Sequence, residues 1–230
     1  MRLLASTPHR ERTQVMKLQK GSKLVMIGDS ITDAGRTRPV GEGLFDPLGR
    51  GYVCMVNALL GAVYAERGLR VVNMGCSGNT VRDLKARWQT DVFDLKPDWV
   101  SVMIGINDVW RQYDLPLQPE CHVPLAEYEE SLRDLVETTL PKVRGMVLVT
   151  PYYIETNRRD PMRATMDEYG AAVKRLAKEY HTVVVDTQAA IDRALKVQYP
   201  GTLAWDRVHP NQVGHMILAK AFVDALGFEW

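Results

Sequence analysis

Short apolar runs alternate along the chain with longer segments in which apolar residues recur at helical spacing. The runs predict five strands, over Lys23–Ile27, Arg70–Met74, Trp99–Ile104, Gly145–Thr150 and Thr182–Asp186. Apolar positions three or four residues apart predict helices over Gly51–Glu66, Thr80–Trp88, Leu125–Thr138, Met162–Glu179, Thr187–Val197 and Gln212–Leu226. Residues 1–20 have only weak periodicity, so we predict a flexible N-terminal tail before a single domain over residues 21–230.

The order of these elements predicts an α/β fold. Buried strands that alternate with helices imply right-handed βαβ crossovers and a parallel sheet that is covered on both faces. Five such strands predict a flavodoxin-like three-layer α/β/α sandwich. In sheets of this kind ligands bind beyond the carboxyl ends of the strands, so the chemically active residues should gather at that edge.

Composition and charge narrow the class of partner. The 230 residues include 29 Lys and Arg against 28 Asp and Glu, and no basic stripe suited to a nucleic acid stands out. The apolar runs are too short to cross a bilayer. We therefore expect neither nucleic acid nor membrane as a partner.

The N-terminus and the cysteines predict a cytoplasmic protein with free thiols. The first twenty residues are polar, and the three cysteines, Cys54, Cys76 and Cys121, are widely spaced.

Three strand ends carry residues that suit acyl transfer. Gly28, Asp29 and Ser30 follow the first strand, where a serine can expose its hydroxyl and turn its own N–H toward an oxyanion. A turn or helix cap is the alternative for this motif. The second strand leads into a glycine-rich loop around Gly78, whose N–H can approach a ligand closely. Asn107 follows the third strand, and its amide can donate to an oxyanion or serve only in a turn.

Asp206 and His209 lie in a turn before the last predicted helix. An aspartate three residues before a histidine can accept from the imidazole Nδ1 and hold Nε2 toward a serine. His215 lacks the spacing of helical zinc ligands, and we interpret it as structural. These observations predict a catalytic triad of Ser30, His209 and Asp206. The oxyanion donors are the N–H groups of Ser30 and Gly78 and the side chain of Asn107, and no cofactor or metal is expected.

Aromatic residues near the same sheet edge suit a carbohydrate leaving group, because aromatic faces stack on sugar rings. We predict that the substrate contacts Asp29, Trp110, Tyr113, Tyr152 and Trp205. For each aromatic side chain, packing in the core or at an interface is the alternative. The loop Gly35–Gly51 can shape or cover the pocket, and no long apolar lid suited to acyl chains is visible.

Four motifs carry a resemblance to a known family. Gly28-Asp29-Ser30-Ile31, Gly78, Gly105-Ile106-Asn107-Asp108 and Asp206-x-x-His209 resemble, in this order, the sequence blocks of the SGNH (GDSL-like) hydrolases. The resemblance covers residues 21–230. Within it, Ser77–Leu84, Met103–Arg111 and Ala204–Pro210 are similar to the bacterial acetyl xylo-oligosaccharide esterases of that family.

The resemblance implies a serine esterase that removes acetyl groups from xylose hydroxyls. It assigns the nucleophile to Ser30, the general base to His209 and the orienting carboxylate to Asp206. It also implies a homo-oligomer, with an octamer as the candidate assembly. Two alternatives stay open: a lysophospholipase or thioesterase of the same fold, and a non-catalytic carbohydrate-binding module.

Overall fold

The computed structural model describes residues 15–230, which form a three-layer α/β/α sandwich around a five-stranded sheet. The strands are β1 (Lys23–Gly28), β2 (Arg70–Gly75), β3 (Trp99–Met103), β4 (Gly145–Val149) and β5 (Val183–Val185). The helices are α1 (Ser30–Asp33), α2 (Tyr52–Val63), α3 (Val81–Asp91), α4 (Ile106–Asp114), α5 (Leu125–Thr139), α6 (Pro161–Glu179), α7 (Thr187–Ala194) and α8 (Gln212–Ala225). Within residues 15–230, no helix is both long and apolar enough to cross a membrane.

The sheet topology confirms the predicted fold class. The strands lie in the order β2-β1-β3-β4-β5, and every neighbouring pair is parallel. This is the flavodoxin-like order, in which the chain changes direction across the sheet between β1 and β3. The carboxyl ends of these two strands therefore flank a crevice, and the segments that follow them are Asp29–Ser30 and Gly105–Asn107.

The two helical layers follow from the burial of the sheet on both faces. Helices α2 and α7 contact α8 on one side, whereas α3 and α6 contact α5 on the other. Leu24–Ile27 of β1 are at most 1% exposed, as a central parallel strand covered on both faces requires.

Two helices were not predicted from the sequence. Helix α1 is a single turn, capped by the Asp29 carboxylate, which accepts a hydrogen bond from the Ile31 N–H at 2.9 Å. Only Ile104 and Gly105 separate α4 from β3, and the φ of +131° at Gly105 lets the chain turn in this short connection. The other predicted elements exist, and their ends differ from the prediction by no more than three residues.

The packed part of the chain extends further toward the N-terminus than the predicted domain boundary at Gly21. Met16 and Leu18 are buried in the core, and the Lys17 N–H donates to the Leu226 carbonyl at 2.8 Å. Residues 16–18 therefore pack with the end of α8. Residues 1–14 of the predicted tail lie outside the described residues.

The loop Gly35–Gly51 covers the outer edge of β2. Gly41 and Asn73 exchange backbone hydrogen bonds of 3.2 and 2.9 Å as an antiparallel bridge. The Asn73 side chain turns inward and donates to the carbonyls of Thr32 and Leu48 at 2.7 and 2.8 Å. These contacts protect an edge strand and fasten the loop to the turn that carries Ser30.

Candidate active site

The three residues of the predicted triad meet at the carboxyl edge of the sheet. Ser30 begins α1 directly beyond β1, whereas Asp206 and His209 lie in the turn before α8. Ser30 Oγ is 2.8 Å from His209 Nε2, and His209 Nδ1 is 2.6 Å from Asp206 Oδ2. This chain of hydrogen bonds allows the imidazole to take the serine proton while the carboxylate fixes its other nitrogen.

Asp206 organises the turn that presents the histidine. Its Oδ1 accepts from the N–H groups of Val208 and His209 at 3.0 and 2.8 Å, and Arg207, which directly follows Asp206, has a φ of +64°. Burial raises the pKa of Asp206, but the hydrogen bonds from the His209 ring and from these two N–H groups outweigh burial and hold it below its ordinary value. Asp206 is thus an anion that both shapes the turn and orients the imidazole.

The turn before Ser30 requires a glycine at position 28. A Cβ atom there would lie 2.3 Å from the Met103 carbonyl oxygen and 2.4 Å from Thr32 Oγ1. The Gly28 carbonyl also accepts from Arg87 Nη2 at 3.0 Å. A side chain at this position would push β1 and β3 apart, and Ser30 would lose its place above the crevice.

The predicted oxyanion donors lie at the ends of β1, β2 and β3. Gly78 has a φ of +83° in the loop after β2, and Asn107 Nδ2 donates to the Asn79 carbonyl of the same loop at 2.9 Å. Within residues 15–230, the N–H groups of Ser30 and Gly78 donate to no protein acceptor. Both are therefore free to bind an oxyanion.

Asp33 anchors the Gly78 loop, a role that sequence reasoning missed. Its Oδ2 accepts from the Ser77 N–H at 3.1 Å, from Ser77 Oγ at 2.9 Å and from Arg38 at 2.7 Å. Burial raises the pKa of Asp33, but these hydrogen bonds and the Arg38 charge outweigh burial and leave it lowered. The only available signal was a carboxylate three residues after Ser30, and its partners depend on the fold.

Among the predicted substrate contacts, the structure brings Trp110 to the triad. Its ring centroid lies 6.0 Å from that of His209. Tyr113 is partly exposed, but its hydroxyl is bound to the Pro161 carbonyl at 2.9 Å and ties α4 to α6. Trp205 is 88% exposed and lines a cavity of about 400 Å³ whose walls include neither Ser30 nor His209.

Two predicted substrate contacts lie below the surface instead. Tyr152 is fully buried, and its hydroxyl donates to the Val208 carbonyl at 3.2 Å. Asp29 is 1% exposed and caps α1. Buried to this degree, neither side chain is accessible to a substrate in this structure. Tyr152 supports the turn that carries His209, and Asp29 supports the helix that carries Ser30.

His215 has the structural role predicted for it. Its Nδ1 accepts from the Tyr52 N–H at the start of α2, at 3.2 Å. Burial lowers the pKa of His215 to about 4, with a smaller contribution from His209. A neutral imidazole is therefore available as an acceptor for the first turn of α2.

Two carboxyl groups lie buried beneath the site. Burial raises the pKa of Asp29 and of Asp108 to about 7, and the proximity of Asp108 contributes to the rise for Asp29. Asp108 Oδ1 accepts from the Val81 N–H at 2.9 Å, whereas its Oδ2 has no partner in the described part of the chain. Near neutral pH this acid is therefore divided between its protonated and ionised forms.

Asp108→Asn should remove a pH dependence of stability. The folded-state pKa of about 7 lies above the ordinary 3.8. The contribution of Asp108 to the free energy of unfolding is therefore fully present below about pH 4 and is lost as the pH rises through 7. Asparagine does not titrate there. The free energy of unfolding of the wild type, minus that of Asp108→Asn, should fall by no more than about 1.4 kcal/mol per pH unit and level off above pH 7.

Urea unfolding between pH 4.5 and 8.5 measures this difference. The exposed Asp46→Asn is the matched control and should show no such fall. A difference that rises with pH would contradict a raised pKa for the buried Asp108.

The amino-acid sequence is similar to a known protein family and to a known esterase. Residues 26–217 match the model of the GDSL-like lipase/acylhydrolase family. The chain is 64% identical to the acetylxylan esterase of Geobacillus stearothermophilus over 94% of this chain and 98% of that one.

Two solved structures extend the likeness to the fold. A catalytic mutant of the acetylxylan esterase Axe2 from G. stearothermophilus, with a serine replaced by alanine, superposes with a TM-score of 0.92 at 63% identity. That match covers 94% of this chain and 98% of the other. LAE5, an alpha/beta hydrolase enzyme from the metagenome of Lake Arreo in Spain, has a TM-score of 0.91 at 58% identity, over 93% and 98% of the two chains.

Proposed function

Because the chain belongs to the GDSL-like lipase/acylhydrolase family, we propose that it is a serine esterase that removes acetyl groups from acetylated xylo-oligosaccharides. One observation carries the chemistry: Ser30 Oγ, His209 and Asp206 form a continuous chain of hydrogen bonds, 2.8 and 2.6 Å long. The likeness to an acetylxylan esterase carries the substrate class.

In the first half-reaction, His209 Nε2 takes the proton of Ser30 as Oγ bonds to the acetyl carbonyl carbon. The carbonyl electron pair moves onto its oxygen. When the tetrahedral intermediate collapses, the bond to the sugar oxygen breaks, and His209 gives its proton to the departing hydroxyl. Asp206 stays ionised throughout and stabilises the imidazolium.

In the second half-reaction, His209 takes a proton from water, whose oxygen attacks the acetyl-serine. Collapse breaks the bond to Ser30 Oγ, which regains its proton from His209, and acetate leaves. In both halves the oxyanion is bound by the N–H groups of Ser30 and Gly78 and by the Asn107 amide. Fixed donors of this kind need no reorganisation as charge develops on the oxygen.

Trp110 is the best-placed aromatic residue for the leaving sugar. It is half-buried beside the His209 ring, and His209 must reach the departing hydroxyl oxygen. The indole face can therefore pack against a pyranose ring at that position. Trp205 remains a second predicted contact, on the outer side of the turn.

Acetate release from acetylated xylobiose tests the function. We expect kcat/KM for this substrate to exceed that for an octanoyl ester of the same alcohol by at least about tenfold, since residues 15–230 form no long apolar lid over the site. Matched acetyl, butanoyl and octanoyl esters measure the dependence on acyl length. A rate that rises with chain length would favour a lysophospholipase or thioesterase, and binding without hydrolysis would favour a carbohydrate-binding module.

A homo-oligomeric assembly, with an octamer as the candidate form, is also part of this proposal. Large apolar side chains that are at least 87% exposed support it: Trp205, Trp230, Phe45, Leu117 and Val197. Burial of these side chains between copies of the chain would remove apolar surface from water. The cytoplasmic location predicted from the sequence stays a prediction.

A further inference from the structure

The Asn107 amide lies between a hydrogen-bond acceptor and a hydrogen-bond donor. The Asn79 carbonyl can only accept a hydrogen bond, and it faces Asn107 Nδ2 at 2.9 Å. The Arg111 guanidinium can only donate, and its Nη2 faces Asn107 Oδ1 at 3.2 Å. The two contacts together fix which way the amide points, since a flipped amide would lose both hydrogen bonds.

We propose that Arg111 is a positioning residue of the oxyanion site and acts through Asn107. It holds the amide with its nitrogen toward the Gly78 loop. It also draws electron density toward the amide oxygen, which makes the remaining N–H of Asn107 a stronger donor. The inference rests on the proposed function, in which Asn107 donates to the oxyanion.

Arg111 is itself held in place from two sides. On α4 it lies four residues after Asn107 and three before Asp114, so all three share one helix face. Asp114 forms an ion pair with the guanidinium, and the guanidinium carbon lies 5.0 Å from the centroid of the Trp110 ring. An arginine fixed in this way loses little conformational freedom when it binds Asn107.

The contact with Trp110 offers a competing role. Trp110 packs beside His209, so a change at Arg111 could act through the aromatic ring instead of the amide. A double-mutant cycle separates the two routes, because only action through Asn107 disappears when Asn107 has lost its amide.

The cycle uses Arg111→Met, which keeps an unbranched chain over Trp110 but cannot donate, together with Asn107→Ala. For acetylated xylobiose, Arg111→Met should lower kcat about tenfold with KM changed less than twofold, the pattern of a transition-state interaction. Asn107→Ala should lower kcat by about 10²–10³-fold. In the Asn107→Ala background, Arg111→Met should cost less than about twofold.

Arg111→Lys should recover at least a third of the wild-type kcat, since an ammonium group also donates to the amide oxygen. Arg144→Met is the matched control. Arg144 pairs with Asp98 at 3.0 Å just before β4 and β3 begin, at the opposite edge of the sheet, and its loss should leave kcat unchanged. Thermal unfolding of each variant shows whether it is folded.

Equal losses from Arg111→Met in both backgrounds, or a change in KM alone, would overturn the inference and leave the proposed esterase intact. Full turnover by Asn107→Ala would overturn both the inference and the oxyanion role of Asn107. A wild-type protein that releases no acetate would instead overturn the proposed function, and the inference with it.

Discussion

Ser30→Ala should lower the rate of acetate release from acetylated xylobiose by about 10⁵–10⁶-fold, which is the usual effect of removing a serine nucleophile. The substitution removes the atom that forms the acetyl-enzyme and leaves only water to attack the ester. Ser30 is half-buried, and in the part of the chain described, its hydroxyl is bonded only to His209. The fold should therefore keep its stability within about 1 kcal/mol.

Initial rates measure the loss of turnover. Intact mass after treatment with a sulfonyl fluoride shows whether the chain still carries a reactive serine. The wild type should gain one reagent per chain, whereas Ser30→Ala should gain none. Ser101→Ala is the matched control, because Ser101 is buried in β3 with an Oγ that has no partner among the described residues. It should keep full activity. Labelled Ser30→Ala, or activity above about one per cent, would rule out Ser30 as the nucleophile.

Asp206→Asn should lower kcat by about 10⁴-fold, the effect of losing the orienting carboxylate in a serine-histidine-aspartate triad. The asparagine oxygen would replace Oδ1, which accepts from the Val208 and His209 N–H groups. Its NH₂ group would then face His209 Nδ1 and donate to it. This selects the tautomer with the proton on Nε2, which cannot accept the proton of Ser30.

Asp160→Asn is the control for the same chemical change. Asp160 caps α6 by accepting from the Arg163 N–H at 3.0 Å, and asparagine caps helices as well as aspartate does. The Asp160→Asn variant should be as active as the wild type. If Asp206→Asn kept more than a tenth of the wild-type kcat, the carboxylate would have no part in setting the tautomer.

The contacts among Ser30, His209 and Asp206 could be predicted from sequence because they depend on local pattern and on topology. Ser30 follows an apolar run, and the spacing of Asp206 and His209 suits a turn in which one side chain binds the other. A parallel sheet brings such strand ends to one edge whatever the lengths of the crossovers between them. The same rule predicted that Gly78 and Asn107 would lie beside Ser30.

Helix α4 stands where the sequence also fits a turn. Ile106, Val109 and Trp110 have helical spacing, but the preceding Gly105 and the polar pair after Ile106 also fit a turn. The φ of +131° at Gly105 allows a helix to begin two residues after the end of a strand. Because Asn107 lies on a helix, Arg111 is one helical turn away from it. A β-turn at Asn107 would not have brought the two residues together.

The substrate contacts were harder to predict because distance along the chain does not determine depth. Tyr152 follows β4 at the correct edge, yet it is fully buried and its hydroxyl donates to the Val208 carbonyl. Trp205 precedes Asp206 directly and is almost fully exposed. Burial of a side chain next to a strand end depends on which distant segment covers it, and neither periodicity nor composition carries that information.

The hydrogen bond between Ser30 and His209 joins residues 179 positions apart, and this separation orders events during synthesis. A ribosome releases Ser30, Gly78 and Asn107 before it has made His209. A nascent chain interrupted after β5 would carry a serine with no proton acceptor, and it would be unable to cleave esters. Appearance of hydrolytic activity during translation would therefore mark the moment at which the last turn docks.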